Sequence, residues 1–128
     1  LKKIEAWTQA RRKNAAFFDE NLEGVITPPL ARGARHVYHQ YTIRIPDLDR
    51  ERFMRALREE WGIDSGVYYP IPNHHLPSLE GFAPGLDLPV THKAAREVVS
   101  LPVHPAVSKA DLERIVQAVN ALAKAGSQ

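Results

Sequence analysis

The chain contains no cysteine, which excludes a disulfide framework and any thiolate-ligated metal centre and fits a reducing compartment. Nor does it hold a long hydrophobic run: no stretch approaches the ~18 apolar residues that a membrane-spanning helix requires. Its opening segment, LKKIEAWTQARRKN, is amphipathic rather than a basic patch followed by an apolar stretch, so it does not read as a leader sequence. These absences predict a soluble, cytoplasmic protein with no membrane partner. Phosphate-cradling glycine motifs are missing, as is the G-x-S-x-G elbow of a serine nucleophile. Charge of one sign is also scarce, with a formal net charge of +2. Arg11, Arg12 and Lys13 cluster, with Arg32 and Arg35 further on, but this is the pattern of a solvated helix face. The aromatic stacking motif of an RNA-binding sheet is lacking, so no nucleic-acid partner is expected.

What is present is enough for one domain. The 128 residues, 44% hydrophobic and 25% charged, have the size and composition of a single globular core. From Leu1 to Leu22, the residues Ile4, Trp7, Ala15, Phe18 and Leu22 recur at helical spacing. In HVYHQYTIRI, residues 36–45, alternation predicts a strand with Val37, His39, Tyr41, Ile43 and Ile45 on one face. His36, Tyr38, Gln40, Thr42 and Arg44 take the other. PDLDRERFMRALREEWG reads as a helix with Asp47 or Asp49 as N-cap, Phe53, Met54, Leu57 and Trp61 as its buried stripe, and Gly62 as its left-handed stop. DSGVYY predicts a second strand, Thr91 caps a short helix reaching Val98 or Val99, and VSLP makes a third strand. Ser108 and Asp111 then open a final helix with a capping-box pattern ahead of Leu112, Ile115, Val116, Val119 and Leu122. Three short strands among helices predict an α/β two-layer sandwich with a small, mainly antiparallel three-stranded sheet.

The stretch SGVYYPIPNHHLPSLEGF, residues 65–82, is the chemically dense part of the chain. Pro70, Pro72 and Pro77 remove backbone donors and fix φ, so the segment reads as a stiff loop. Tyr68, Tyr69, Asn73 and His74 give it stacking faces and hydrogen-bond handles suited to a polar ligand bearing hydroxyls and a flat ring. The histidines do not spell a metal site in the sequence. His36 and His39 fall on opposite faces of the expected strand, and adjacent His74 and His75 lack nearby carboxylates. His92 and His104 read as ordinary surface or core residues. Residues alone therefore reach a small α/β domain with a preformed loop and no catalytic or metal-ligating set.

Four blocks go further: WTQARRKNAAFFDENL, HVYHQYTIRI, RFMRALREEWGIDSGVYYPIPNHHLPSL and VVSLPVHPAVSKADLERIVQAV. Together they resemble the C-terminal small domain of the DegT/StrS sugar aminotransferases, fold-type I enzymes dependent on pyridoxal phosphate. Tyr69, Pro70, Pro72, His74 and Pro77 match the family's loop pattern, while Tyr68, Asn73 and Leu76 depart from it. The resemblance implies that residues 1–128 are one C-terminal small domain. In it, 1–22 form an interdomain helix, 36–128 form the body, and the large cofactor-binding N-terminal domain is absent. It implies a homodimeric enzyme that moves an amino group, typically from glutamate, to a nucleotide-linked keto-sugar. On this reading pyridoxal phosphate is held by the absent domain, none is expected on this chain alone, and no catalytic residue lies here. The loop then supplies Tyr69 and His74, with Tyr68 and Asn73, either as substrate contacts or as a seal between domains. Lys2, Lys3, Lys13, Lys93, Lys109 and Lys124 fall on predicted helices and match no cofactor-lysine motif. The alternative is a stand-alone metabolite-binding or regulatory α/β domain that uses the same loop without chemistry.

Overall fold

In the computed structural model, the described residues are 2–79, 81–82 and 84–126. Helix α1 spans Ile4–Asn21, strand β1 Tyr41–Arg44, helix α2 Arg50–Trp61, helix α3 Pro89–Glu97, strand β2 Val98–Leu101 and helix α4 Lys109–Gly126. Between α2 and α3, Asn73–His75 and Pro77–Leu79 each form one short 3₁₀ turn.

The strands pair antiparallel with Tyr41 opposite Leu101, Thr42 opposite Ser100, Ile43 opposite Val99 and Arg44 opposite Val98. Because side chains alternate across a sheet, this register puts Tyr41, Ile43, Val99 and Leu101 on one face. All four are buried in a single cluster with Ala15 and Phe18 of α1, Phe53 and Leu57 of α2, and Leu112, Ile115, Ala118 and Val119 of α4. Thr42, Arg44, Val98 and Ser100 share the other face, where the Thr42 and Ser100 hydroxyls meet at 2.7 Å.

The helix boundaries follow local chemistry. Asp49 caps α2 by accepting from the Arg52 N–H at 3.0 Å, and Gly62, at φ 64°, ends it in the left-handed region where a Cβ is costly. Ser108 and Asp111 close the expected capping box. The Asp111 N–H donates to Ser108 Oγ at 3.1 Å, and Ser108 donates from its hydroxyl to Asp111 Oδ2 at 2.7 Å. At the far end of α1, Asn120 of α4 accepts the Glu23 N–H and donates to the Asn21 carbonyl, both at 2.9 Å, so α4 satisfies groups the first helix leaves open.

Several expectations are corrected. The sheet among the described residues has two strands rather than three. DSGVYY contributes only a single antiparallel bridge, Gly66 to Ser100, after which the chain enters the proline segment and pairing ends. Strand β1 begins at Tyr41, not His36, because Tyr38 sits at φ 46° and interrupts the extended backbone. Tyr38 is consequently buried and Val37 exposed, the reverse of the alternation expected. Thr91 lies inside α3, which starts at Pro89 with Leu88 as N-cap, since proline's fixed φ suits the first helical position. The first helix starts at Ile4; Leu1, where it was expected to begin, lies outside the described residues. Its Phe18 packs in the core, whereas Ile4 and Trp7 are 55% and 50% exposed.

Candidate functional site

The sheet face opposite the core forms the floor of a cavity of about 590 Å³. Thr42 and Ser100 supply hydroxyls to that floor and Gln40 an amide. One wall is the proline segment, with Val67, Tyr68, Tyr69, Ile71, Asn73 and His74; the other is α3 and its approach, with Leu88, Thr91, Ala94 and Ala95. All four residues singled out in the sequence, Tyr68, Tyr69, Asn73 and His74, therefore line one cavity. Its size is that of a typical small-molecule site, and its mix of an apolar wall with a few hydroxyl, amide and imidazole groups is the usual composition of one.

Geometry explains how the segment holds this shape. Its entry is fixed at Gly66, whose N–H donates to the Ser100 carbonyl at 3.1 Å while the Ser100 N–H donates back at 2.8 Å. The first 3₁₀ turn is closed by the His75 N–H donating to the Pro72 carbonyl at 2.9 Å. The exit is fixed at Arg44, whose guanidinium donates through Nε at 2.9 Å and Nη2 at 2.6 Å to Glu97 Oε2 at the end of α3. Tyr68 and Tyr69 stand 61% and 73% exposed on this frame. Aromatic surface left so open, on a backbone already fixed, is available for a ligand or for another protein surface.

A second cavity of about 400 Å³ adjoins the first, sharing Gln40, Gly66, Tyr68 and Ser100 and adding His39, Asp64, Ser65 and His104. Ser65 Oγ is buried with no hydrogen-bond partner among the described residues.

The histidines rearrange the sequence picture. His36 and His39 precede β1, and His36 Nδ1 accepts the Tyr38 N–H at 2.9 Å. His92, read as unremarkable, sits on α3 with its Nε2 3.2 Å from His74 Nε2. His75 completes a cluster in which one ligand-capable atom of each ring lies within 4.8 Å of the others. Desolvation, and then the neighbouring His75 and His92, hold the His74 imidazole below its ordinary range; Asp87 opposes them. Sequence reasoning also missed Gln40, Thr42, Thr91 and Ser100 as cavity residues. Thr42 and Ser100 meet through the β1–β2 register, and Thr91 is brought to them by the placement of α3, neither of which local sequence signals.

A pyridoxal phosphate held covalently by this chain would need an amine in the cavity. No lysine is among the lining residues, and Lys93 and Lys109 are exposed and face Glu97 and Glu113. The described lining of this cavity thus offers no amine for a Schiff base to that cofactor, and no chemical step is assigned to it through the cofactor.

A family model described as the DegT/DnrJ/EryC1/StrS aminotransferase family matches residues 1–120. Among curated proteins, a "Pleiotropic regulatory protein" of Geobacillus stearothermophilus is 38% identical over 123 residues, covering 91% of this chain and 32% of that protein. A dTDP-3-amino-3,6-dideoxy-alpha-D-galactopyranose transaminase of Aneurinibacillus thermoaerophilus is 32% identical over 114 residues, covering 88% of this chain and 30% of that enzyme. The chain thus spans about a third of the length of these relatives. Among solved structures, DesV of S. venezuelae, determined in complex with a ketimine intermediate, superposes with a TM-score of 0.85 at 30% identity. That match covers 97% of this chain and 34% of the other.

Proposed function

The chain belongs to the DegT/DnrJ/EryC1/StrS aminotransferase family, and from that premise we propose that it is the C-terminal small domain of a pyridoxal-phosphate-dependent sugar aminotransferase. The observation that carries the reading is the cavity walled by Tyr68, Tyr69, Asn73 and His74, on a chain that covers about a third of its transaminase relatives. The remaining polypeptide supplies the cofactor, its Schiff-base lysine and most of the reacting centre. This domain supplies one wall. The phenol rings take the flat face of a sugar or nucleotide ring, while Asn73, His74, Gln40 and Thr42 hydrogen-bond hydroxyl groups. The amino donor is glutamate, the acceptor a nucleotide-linked keto-sugar, the assembly a homodimer and the compartment the cytoplasm. Exposed Ile4 and Trp7 on α1 and exposed Tyr68 and Tyr69 on the loop give the other domain, or a second subunit, apolar surface to cover.

The test uses the full-length polypeptide. It is expected to show the cofactor's absorption and to transfer an amino group from glutamate to a nucleotide-linked keto-sugar. The variants Tyr69→Ala and His74→Ala are expected to raise the KM for the sugar while leaving the cofactor spectrum and the half-reaction with glutamate intact. Unchanged kinetics for both substrates in both variants would remove the loop from the site and leave it as a seal between domains.

A second reading has its own support. The Geobacillus stearothermophilus relative is named a regulatory protein, and the same cavity would serve a regulator that binds a sugar without transforming it. Ligand-induced stabilisation of the full-length protein without any amine transfer is the outcome that selects this reading.

A further inference from the structure

We infer that His74, His75 and His92 form a binding site for a borderline transition-metal dication, with Zn²⁺ as the natural occupant. The site joins two elements that the backbone otherwise leaves separate. His74 and His75 lie on the 3₁₀ turn Asn73–His75, and His92 lies in the first half of α3. The three imidazole rings approach one another with centroid separations of 4.3, 4.6 and 5.0 Å.

The distances fit coordination. Two imidazole nitrogens held about 2.0–2.1 Å from one tetrahedral ion lie about 3.3–3.4 Å apart. His74 Nε2 and His92 Nε2 are 3.2 Å apart. A ring nitrogen of His75 lies within 4.8 Å of one on each of the other two, and His75 is exposed, so a rotamer adjustment can bring it onto the same ion. Asp87 Oδ1 lies 3.8 Å from His92 Nε2, placing a carboxylate in reach of the fourth position or of a water held there.

The donor set selects the ion. Neutral imidazoles bind zinc, copper and nickel, whereas magnesium and calcium require oxygen ligands that a three-histidine cluster does not offer. Without a cation, only one proton can bridge His74 and His92, while His75 meets the two only through ring contacts among the described residues. With one, the His74 and His92 nitrogens share a common charge, and His75 joins them through its rotamer adjustment. The bound ion would tie the cavity wall carrying Tyr68, Tyr69 and Asn73 to α3, fixing the width of the cavity mouth. The inference rests on atoms of this chain alone and stands whether or not the full-length protein is an aminotransferase.

The test is a calorimetric titration of the full-length polypeptide, stripped with chelator, using zinc chloride. A parallel titration with Co²⁺ is followed by visible absorption. The expected result is one Zn²⁺ per chain and an intense tetrahedral-type cobalt spectrum. His92→Ala and His75→Ala should each weaken binding at least about tenfold, since even second-sphere changes at such sites cost 10–100-fold. All three histidines are at least partly exposed, so the variants should keep the parent's circular dichroism and make loss of binding readable. Zinc affinity and cobalt spectrum unchanged in the triple variant His74→Ala, His75→Ala, His92→Ala would overturn the inference. So would absence of stoichiometric zinc uptake by the parent, leaving His74 and His92 as a hydrogen-bonded pair only.

Discussion

The phenol of Tyr41 on β1 donates to Asp19 Oδ1 on α1 at 2.6 Å, while its ring packs against Phe18 with centroids 5.0 Å apart. One residue thus fixes the first helix to the sheet by both its apolar body and its polar tip. Burial, and then the hydrogen bond and charge of Asp19, hold the Tyr41 hydroxyl well above the ordinary phenol range. The folded state keeps a proton that the unfolded chain releases near pH 10. The stabilisation is therefore complete below about pH 10 and is lost as pH rises above it. Tyr41→Phe should cost about 1–2 kcal/mol at neutral pH, allowing for the exposure of Asp19, and should flatten the alkaline loss of stability. Denaturant melts of both proteins between neutral and strongly alkaline pH measure it; equal alkaline slopes would count against this role.

Gly24 sits at φ +72°, and a Cβ there would lie 2.9 Å from Ala123 Cβ on α4. Both the left-handed backbone and the close approach exclude a side chain. Gly24→Ala is expected to destabilise the fold by about 1–3 kcal/mol. Gly33, also at positive φ but with open space where its Cβ would be, is the control. Its alanine variant bears the conformational cost without the clash, so a larger loss of stability at Gly33 than at Gly24 would refute the packing argument.

At the start of α4, the Ser108 hydroxyl is the main cause that holds the Asp111 carboxyl below its usual range. A carboxyl depressed in the folded state contributes stability above its unfolded pKa and loses it as pH falls through the folded value. Acid melts should therefore show a component below about pH 4. Ser108→Ala should remove that component along with the cap. Superimposable acid transitions for the two proteins would refute the assignment.

Trp7 and Ile4 lie on the exposed side of α1, where Lys2, Lys3, Arg11 and His39 surround them in a shallow depression. An apolar fluorescent dye should bind this chain more strongly than it binds an ordinary globular monomer. The double variant Ile4→Lys, Trp7→Lys should lower that signal with a change in stability within about 0.5 kcal/mol per site, as for other surface substitutions. Dye fluorescence no greater than that of an ordinary monomer would show that the patch is not available for binding.

Elements whose signals are local were legible in the sequence. The stripe Phe53 and Leu57 with Asp49 and Gly62 at its ends defines α2, and the Ser108–Asp111 box defines the start of α4. The proline segment was readable as preformed because Pro70, Pro72 and Pro77 constrain it wherever it lies. Features made by convergence were not legible. Alternation suggested ten strand residues from His36, but the positive φ of Tyr38 ends the pattern before it becomes a strand. His92 is separated from His74 by 18 residues, with a change of element between them, so no spacing rule links the two. The cavity floor of Gln40, Thr42 and Ser100 depends on a strand pairing between residues more than fifty apart in the chain, as between Thr42 and Ser100 (58 apart).

The bridge between Gly66 and Ser100 closes the chain on itself at the mouth of a long excursion. Among its described residues, none from Val67 to Glu97 is buried, and none belongs to the core cluster. The frame of α1, α2, α4 and the two strands is packed without them. The described residues between Gly66 and the Arg44–Glu97 ion pair thus lie outside the core, so side chains there can be exchanged without removing a member of the core cluster. A single scaffold could in this way be refitted to accept different ligands by replacing one continuous stretch of chain.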